Sequence, residues 1–137
     1  MKNCTPFILL SFSFLFLAMV ESAAVKEPFS HRTLQHVVSF KFKDGASSVQ
    51  IENVEKAFVA LKGKIPEIVS LEWGTNNSPE GLNKGFTHCF IVTFKDEKDR
   101  SVYLPHPEHK AFVKILKPIL DDVFVIDFWT DGEFCGR

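Results

Sequence analysis

The sequence predicts an α+β domain in which two helices pack on one face of a four-stranded antiparallel sheet. Three observations support this fold class. A segment of apolar–polar alternation opens the domain, two apolar stripes recur at three- and four-residue spacing, and further short apolar segments lie between turn residues, in the order βαββαβ. With 137 residues, 45% of them hydrophobic, the chain supports one modest domain with one core.

The first strand and the first helix have the clearest signals. Residues 36–43 alternate so that His36, Val38, Phe40 and Phe42 share one face. Ser47 and Gln50 have the spacing of a capping box, and Gly63 with Pro66 ends the helix that follows. The apolar face of this helix is formed by Ile51, Val54, Phe58, Leu61 and Ile65.

The remaining elements follow in short order. Residues 68–74 predict a second strand with Val69, Leu71 and Trp73 on one face, and residues 86–94 predict a third. Residues 95–102 have the composition of a short charged helix. A further helix is expected over residues 106–117, because Pro107 suits a first helical turn, and residues 123–128 predict the last strand.

This order is a ferredoxin-like plan, with both main helices on the same side of the sheet. The opposite sheet face is expected to carry Val37, Ser39, Cys89, Ile91 and Thr93. That set is too apolar to remain in water, and a second copy packed sheet to sheet would cover it. We therefore expect a homodimer.

The N-terminal segment has a different character from the rest of the chain. Residues 7–20 form an uncharged apolar run, shorter than the roughly 20 residues that a membrane-spanning helix needs. Lys2 precedes it and Ser22-Ala23-Ala24 offers a cleavage site, so residues 1–24 are expected to be a secretory signal peptide. The expected mature chain is exported, to the extracellular space or apoplast or to a vacuole, with no membrane span after cleavage. It comprises a polar lead (25–34), the domain (35–129) and a C-terminal tail (130–137).

Charge and cysteine content exclude several functions. The formal charge is −1, with no basic block, which argues against a nucleic-acid platform. In an oxidising compartment Cys89 and Cys135 could pair, Cys135 could bridge to another chain, or Cys89 could be a small core residue.

Asn76 heads an Asn-x-Ser glycosylation pattern, which the following Pro79 weakens.

Histidines supply the candidate chemistry. His36, His88, His106 and His109 are expected to share one neighbourhood, beside Tyr103, in a small-molecule pocket between sheet and helices. There His109 would act as a general base and Tyr103 would donate a hydrogen bond to a carbonyl oxygen that gains charge. The alternative is structural: a His at a helix start and a Tyr packed beside it. A metal site at His106 and His109 fits poorly, because their spacing is three rather than four, and no cofactor is predicted.

Several segments together resemble the plant stress-responsive dimeric α/β-barrel family, over about residues 35–129. The similar segments are His36-Val-Val-x-Phe-Lys-Phe-Lys-Asp44, Ile65-Pro66 with Trp73-Gly74, Gly85-Phe-Thr-His88, Tyr103-x-x-His-Pro-x-His109 and Val125-Ile-Asp-Phe128. The resemblance implies a homodimer whose two sheets form a barrel.

The family includes a polyketide cyclase that closes a carbon–carbon bond by aldol chemistry. By resemblance, Tyr103 and His109 act on the substrate, and the substrate-binding positions are His36, Val38, Phe40, Val54, Phe58, His88, Phe90 and Phe112. An exported protein would not meet polyketides made in the cytosol, so another small hydrophobic or aromatic molecule is expected. The alternatives are a non-catalytic stress or antimicrobial defence protein and a passive carrier.

Overall fold

The computed structural model describes residues 32–130. The expected signal peptide, most of the polar lead and residues 131–137 lie outside the described residues. The elements are β1 (Leu34–Phe42), α1 (Ser48–Lys64), β2 (Ile68–Thr75), β3 (His88–Phe94), α2 (Glu97–Tyr103), α3 (Pro107–Leu116) and β4 (Leu120–Trp129). The α+β fold class and the antiparallel sheet are therefore confirmed, with the short charged helix, α2, as a third helix.

Strand pairing places β1 at the centre of the sheet. The strand order is β2-β3-β1-β4, and all three pairings are antiparallel. On one face of β1, His36, Val38 and Phe40 are buried beneath the helices, as the alternation predicts. Ser47 closes the expected capping box: Gln50 N–H donates to its hydroxyl, and the Gln50 side chain accepts from its N–H.

The core lies between the helices and the inner sheet face. Four phenylalanines form its centre, with ring centroids 4.1 Å apart for Phe58–Phe90, 4.8 Å for Phe58–Phe112 and 5.3 Å for Phe40–Phe90. Val54 from α1 is fully buried with them. This closely packed aromatic centre holds α1 and α3 at fixed positions above the sheet.

The predicted face of β2 is correct for Leu71 and Trp73, which pair with the buried Val92 and Phe90, but wrong for Val69. The pairing of β2 with β3 shifts register between Ile68 and Ser70, so the two strands are irregular at this point. Ile68 is buried at 1% exposure, whereas Val69 is 52% exposed. A bulge changes the alternation of a strand, and a simple period of two cannot anticipate it.

The opposite sheet face is apolar and open. On β4 the outward residues Phe124, Ile126 and Phe128 are each nearly half exposed, next to the outward residues of β1. Val123 and Val125, on the inner side of β4, are exposed to a similar extent. The helices therefore leave β4 uncovered on both faces. None of the helices within residues 32–130 is long and apolar enough to cross a membrane.

Candidate functional site

Three of the predicted site residues meet where α2 gives way to α3. Tyr103 ends α2, His109 lies in the first turns of α3, and His36 projects from β1. The ring centroid of Tyr103 is 4.3 Å from that of His109 and 5.9 Å from that of His36. His106 caps α3 by accepting a hydrogen bond from Glu108 N–H, and Pro107 occupies the first turn. The short break between the helices thus brings Tyr103 and His109 together.

The His109 ring is fixed in one tautomer. Its Nδ1 lies 3.0 Å from the carbonyl oxygen of Leu104, and since a carbonyl only accepts, Nδ1 carries the proton. In the neutral ring the lone pair is therefore on Nε2. Burial lowers the pKa of His109, against the Leu104 hydrogen bond that raises it, and the nearby His36 and His106 lower it further. The ring is thus predominantly uncharged at neutral pH.

Tyr103 is a buried phenol that keeps its proton. Its side chain is 1% exposed and packs against Phe94, with ring centroids 5.1 Å apart. Burial raises the pKa of Tyr103 well above its ordinary value of 10.0. The phenol therefore stays protonated at any physiological pH and is available as a hydrogen-bond donor.

The polar tips of these residues are not sealed in the core. The Tyr103 hydroxyl, His109 Nε2 and His36 Nε2 make no hydrogen bond within residues 32–130. In the same range, the only sealed side-chain oxygen or nitrogen without a partner is Glu67 Oε2. The three tips therefore keep some contact with solvent, although the Tyr103 side chain is 1% exposed and that of His36 is 9% exposed. The free nitrogens of two imidazole rings and one phenol hydroxyl thus lie within one small neighbourhood.

Sequence reasoning missed two charged residues at this site. His36 Nδ1 lies 2.6 Å from Asp127 Oδ1 on β4, and Arg100 Nη1 from α2 lies 2.5 Å from Asp127 Oδ2. One carboxylate thus joins three elements of the fold. The strand register could have suggested the first contact, since β4 pairs with β1 and places Asp127 opposite His36.

His88 is not part of this neighbourhood, contrary to the expected grouping of histidines. It pairs with Phe40 on β1, whereas His36 pairs with Val92, so the two histidines lie four residues apart along the sheet, roughly 13 Å. Both ring nitrogens of His88 are engaged, with Glu55 Oε1 at 2.9 Å and the Thr87 hydroxyl at 2.8 Å. The aromatic rings that pack against His88 are Phe42 and Trp73.

The predicted pocket walls lie in the packed core. The inward positions Val38, Phe40, Val54, Phe58, Phe90 and Phe112 are all at most 6% exposed. A groove of about 650 Å³ lies elsewhere, on the outer face of the sheet beneath the 76–87 loop. Its apolar lining includes Phe86, Ile91 and Phe124. Of the predicted walls, Phe112 is near the site, because its ring centroid is 6.3 Å from that of His109.

The other positions singled out in the sequence are the glycosylation site Asn76, the two cysteines Cys89 and Cys135, and the metal-ligand candidates. Asn76 is exposed, and its side-chain oxygen accepts a hydrogen bond from Ser78 N–H, so glycosylation there stays a prediction. Cys89 is a half-buried free thiol on the outer sheet face, and Cys135 lies outside the described residues. Between Arg32 and Thr130, no group of three or more His, Cys, Asp or Glu residues is arranged to hold a metal ion.

Comparisons with known proteins agree with the fold. The chain is 37% identical over 95 residues to a stress-response A/B barrel domain-containing protein, HS1, of Arabidopsis thaliana, covering 69% of this chain and 87% of that protein. It is 27% identical to olivetolic acid cyclase of Cannabis sativa, covering 69% and 94% of the two chains.

Two solved structures are also similar to this chain in three dimensions. A hydroxynitrile lyase from Passiflora edulis superposes with a TM-score of 0.69 at 26% identity, covering 74% of this chain and 96% of the other. A dimeric protein of ferredoxin-like fold from Bacteroides fragilis superposes with a TM-score of 0.59 at 27% identity, covering 72% and 96%. The family model of the stress responsive A/B barrel domain matches residues 34–130. With its sheet, its helices and this match in agreement, the chain belongs to the stress-responsive A/B barrel domain family.

Proposed function

We propose that this protein is an acid–base enzyme that acts, without a cofactor, on a small hydrophobic or aromatic molecule bearing a carbonyl or hydroxyl group. The observation that carries the proposal is the orientation of His109. Its Nδ1–H is committed to the Leu104 carbonyl, which leaves Nε2 free, uncharged and open to solvent beside the Tyr103 phenol. A base next to a donor is the minimum set for moving a proton adjacent to a carbonyl group.

The proposed step uses only these two residues. His109 Nε2 removes a proton from a C–H group next to a carbonyl, or from an O–H group, and becomes an imidazolium. In an isomerase reaction the released electron pair moves onto the carbonyl oxygen, and in a lyase reaction it forms a carbonyl as the neighbouring bond to the leaving group breaks. In a cyclase reaction the enolate carbon forms the new carbon–carbon bond to a second carbonyl carbon of the same substrate, and the π electron pair of that carbonyl moves onto its oxygen. The Tyr103 O–H donates a hydrogen bond to the oxygen that gains charge. The proton is returned from His109 to the product carbon, the leaving group or the new hydroxyl oxygen, which restores both residues.

Two relatives support this reaction class. The names olivetolic acid cyclase and hydroxynitrile lyase describe enzymes that close a ring and break a hydroxynitrile. Both chemistries require a proton to move as a bond next to an oxygen-bearing carbon forms or breaks. We propose a cyclase, isomerase or lyase reaction for this chain, on a substrate of the same chemical kind.

A non-catalytic stress or antimicrobial defence role is the second candidate. The packing of Phe40, Phe58, Phe90 and Phe112 against one another supports it, because space for a large substrate beside His109 would require these rings to move. The name of the Arabidopsis relative also refers to stress response rather than to a reaction.

Kinetics with two probes would separate the candidates. An aromatic hydroxynitrile, followed by aldehyde absorbance, and a linear β-polyketide thioester, followed by product chromatography, represent the two chemistries. We expect turnover of at least one probe, and His109→Gln and Tyr103→Phe should each lower kcat by roughly 10²–10⁴-fold. Lys110→Gln, on the exposed side of α3, is the matched control and should retain full activity. Turnover that survives both site substitutions would refute the assigned roles, and no turnover of either probe would favour the defence role.

A further inference from the structure

Asp127 joins two positively charged or potentially charged partners through its two oxygens. Oδ1 accepts from His36 Nδ1 at 2.6 Å, and Oδ2 accepts from Arg100 Nη1 at 2.5 Å. The His36 side chain is 9% exposed, and those of Asp127 and Arg100 are 29% and 24% exposed. The three side chains come from β1, β4 and α2, so the contacts depend on the folded domain.

We propose that Asp127 and Arg100 are positioning residues that fix His36 as its Nδ1–H tautomer, so that its Nε2 is a second acceptor facing the substrate beside Tyr103. An ionised carboxylate can only accept, and it therefore selects the tautomer with the proton on Nδ1. The other nitrogen of an imidazole points away from that contact, and His36 Nε2 makes no hydrogen bond within the described residues. Its ring packs edge-on against Tyr103.

Arg100 determines which atom of residue 127 faces His36. A guanidinium only donates, so whichever atom of residue 127 faces Arg100 must be an acceptor. With aspartate, both oxygens satisfy this condition. With asparagine, the single carbonyl oxygen would turn to Arg100, and the amide nitrogen would turn to His36. His36 Nδ1 would then have to accept, and its proton would move to Nε2.

The three polar groups of His36, Tyr103 and His109 also indicate which substrate would fit the site of the proposed function. The Nε2 atoms of two imidazoles, on His36 and His109, flank one phenol donor. A molecule with two hydroxyl or enol hydrogens and one carbonyl oxygen would satisfy all three groups. This part rests on the proposed function, whereas the tautomer of His36 does not, and it can be measured without any substrate.

Nitrogen-15 NMR of the imidazole rings in the full-length chain is the direct test, at a mildly alkaline pH well above the ordinary imidazole pKa of about 6.5. The His36 signals are assigned by their loss in His36→Gln. We expect the Nδ1–H tautomer in the unmodified protein and the Nε2–H tautomer in Asp127→Asn. The double variant Asp127→Asn with Arg100→Leu should return to Nδ1–H, because the amide can then turn its oxygen to His36. Arg100→Leu alone should keep Nδ1–H.

Each outcome decides a part of the proposal. An Nε2–H tautomer in the unmodified protein would overturn the role of Asp127 without any variant having to fold. An Asp127→Asn spectrum that keeps Nδ1–H would do the same, and a double variant that stays Nε2–H would overturn the role of Arg100. With a probe that is turned over, Asp127→Asn should lower kcat roughly tenfold or more and leave KM nearly unchanged, and the double variant should recover part of the loss. The tautomer pattern with unchanged kcat would support the positioning and reject a part for His36 in the reaction.

Discussion

Replacing Phe58 with alanine would test whether the aromatic cluster is a packed core or the wall of a substrate cavity. Phe58 is 1% exposed, and its ring lies 4.1 Å from that of Phe90 and 4.8 Å from that of Phe112 between centroids. Removal of a fully buried phenylalanine costs about 3–5 kcal/mol of unfolding free energy, including the lost aromatic contacts and the cavity left behind. Removal of a ring that borders an existing cavity on one side would lower the unfolding free energy by less, about 2 kcal/mol or below, because fewer contacts are lost.

Urea unfolding at one fixed protein concentration is the assay, since assembly changes apparent stability. We expect a loss of about 4 kcal/mol for Phe58→Ala, which lowers the unfolding midpoint by roughly 2–4 M at a slope of about 1–2 kcal/mol/M. The matched control is Val59→Ala, next in sequence but 41% exposed, which should lose less than about 1 kcal/mol. A loss for Phe58→Ala no larger than 2 kcal/mol, at unchanged slope, would refute the packed core and favour a substrate cavity.

Two further predictions concern His109 and the open face of β4. The pKa of His109 is below its ordinary value of 6.5, so below pH 6.5 the unfolded chain binds more protons at this residue, and this part of the stability is lost as the pH falls toward the folded-state pKa. In urea midpoints between about pH 7 and pH 5, His109→Gln should lose less stability than the unmodified protein, and parallel curves would contradict the burial of a neutral ring. Ile126→Lys should convert a dimer to a monomer in light scattering, because it would place a charge in an apolar contact, whereas Val123→Lys, equally exposed on the other face of β4, should not. An Ile126→Lys dimer would place the interface elsewhere.

Local patterns were sufficient for most of the fold. The alternation of β1, the capping box at Ser47 and the proline at the start of α3 each depend on neighbours along the chain, and each is present. The face of β2 was not predictable, because the bulge after Ile68 depends on pairing with β3. The strand predicted from Phe86 begins at His88, after a turn in which Gly85 has a positive φ of 84°.

The candidate site was predictable only in part, for a similar reason. Tyr103 and His109 are six residues apart across one helix break, and the motif that contains them already places them together. The position of His88 depends on the register of β3 against β1, which places His88 four residues along the sheet from His36. Asp127 lies in a segment that predicted a strand and resembled the family, and Arg100 lies in one that predicted a charged helix; neither was assigned a role. The contacts of Asp127 with His36 and Arg100 require β4, β1 and α2 to meet in the folded domain, and no single stretch of sequence encodes that meeting.

Strand β4 carries apolar side chains of the open sheet face on one side and Asp127, the partner of His36, on the other. Along this strand the outward side chains are Phe124, Ile126 and Phe128, and the inward ones include Asp127. A strand at the edge of a sheet frays more easily than a central one, and a partner packed on its outward side would restrain it. Any restraint on that side also fixes the carboxylate that holds His36. Dilution of the protein below its assembly concentration should then loosen the contact between Asp127 and His36 before the domain unfolds.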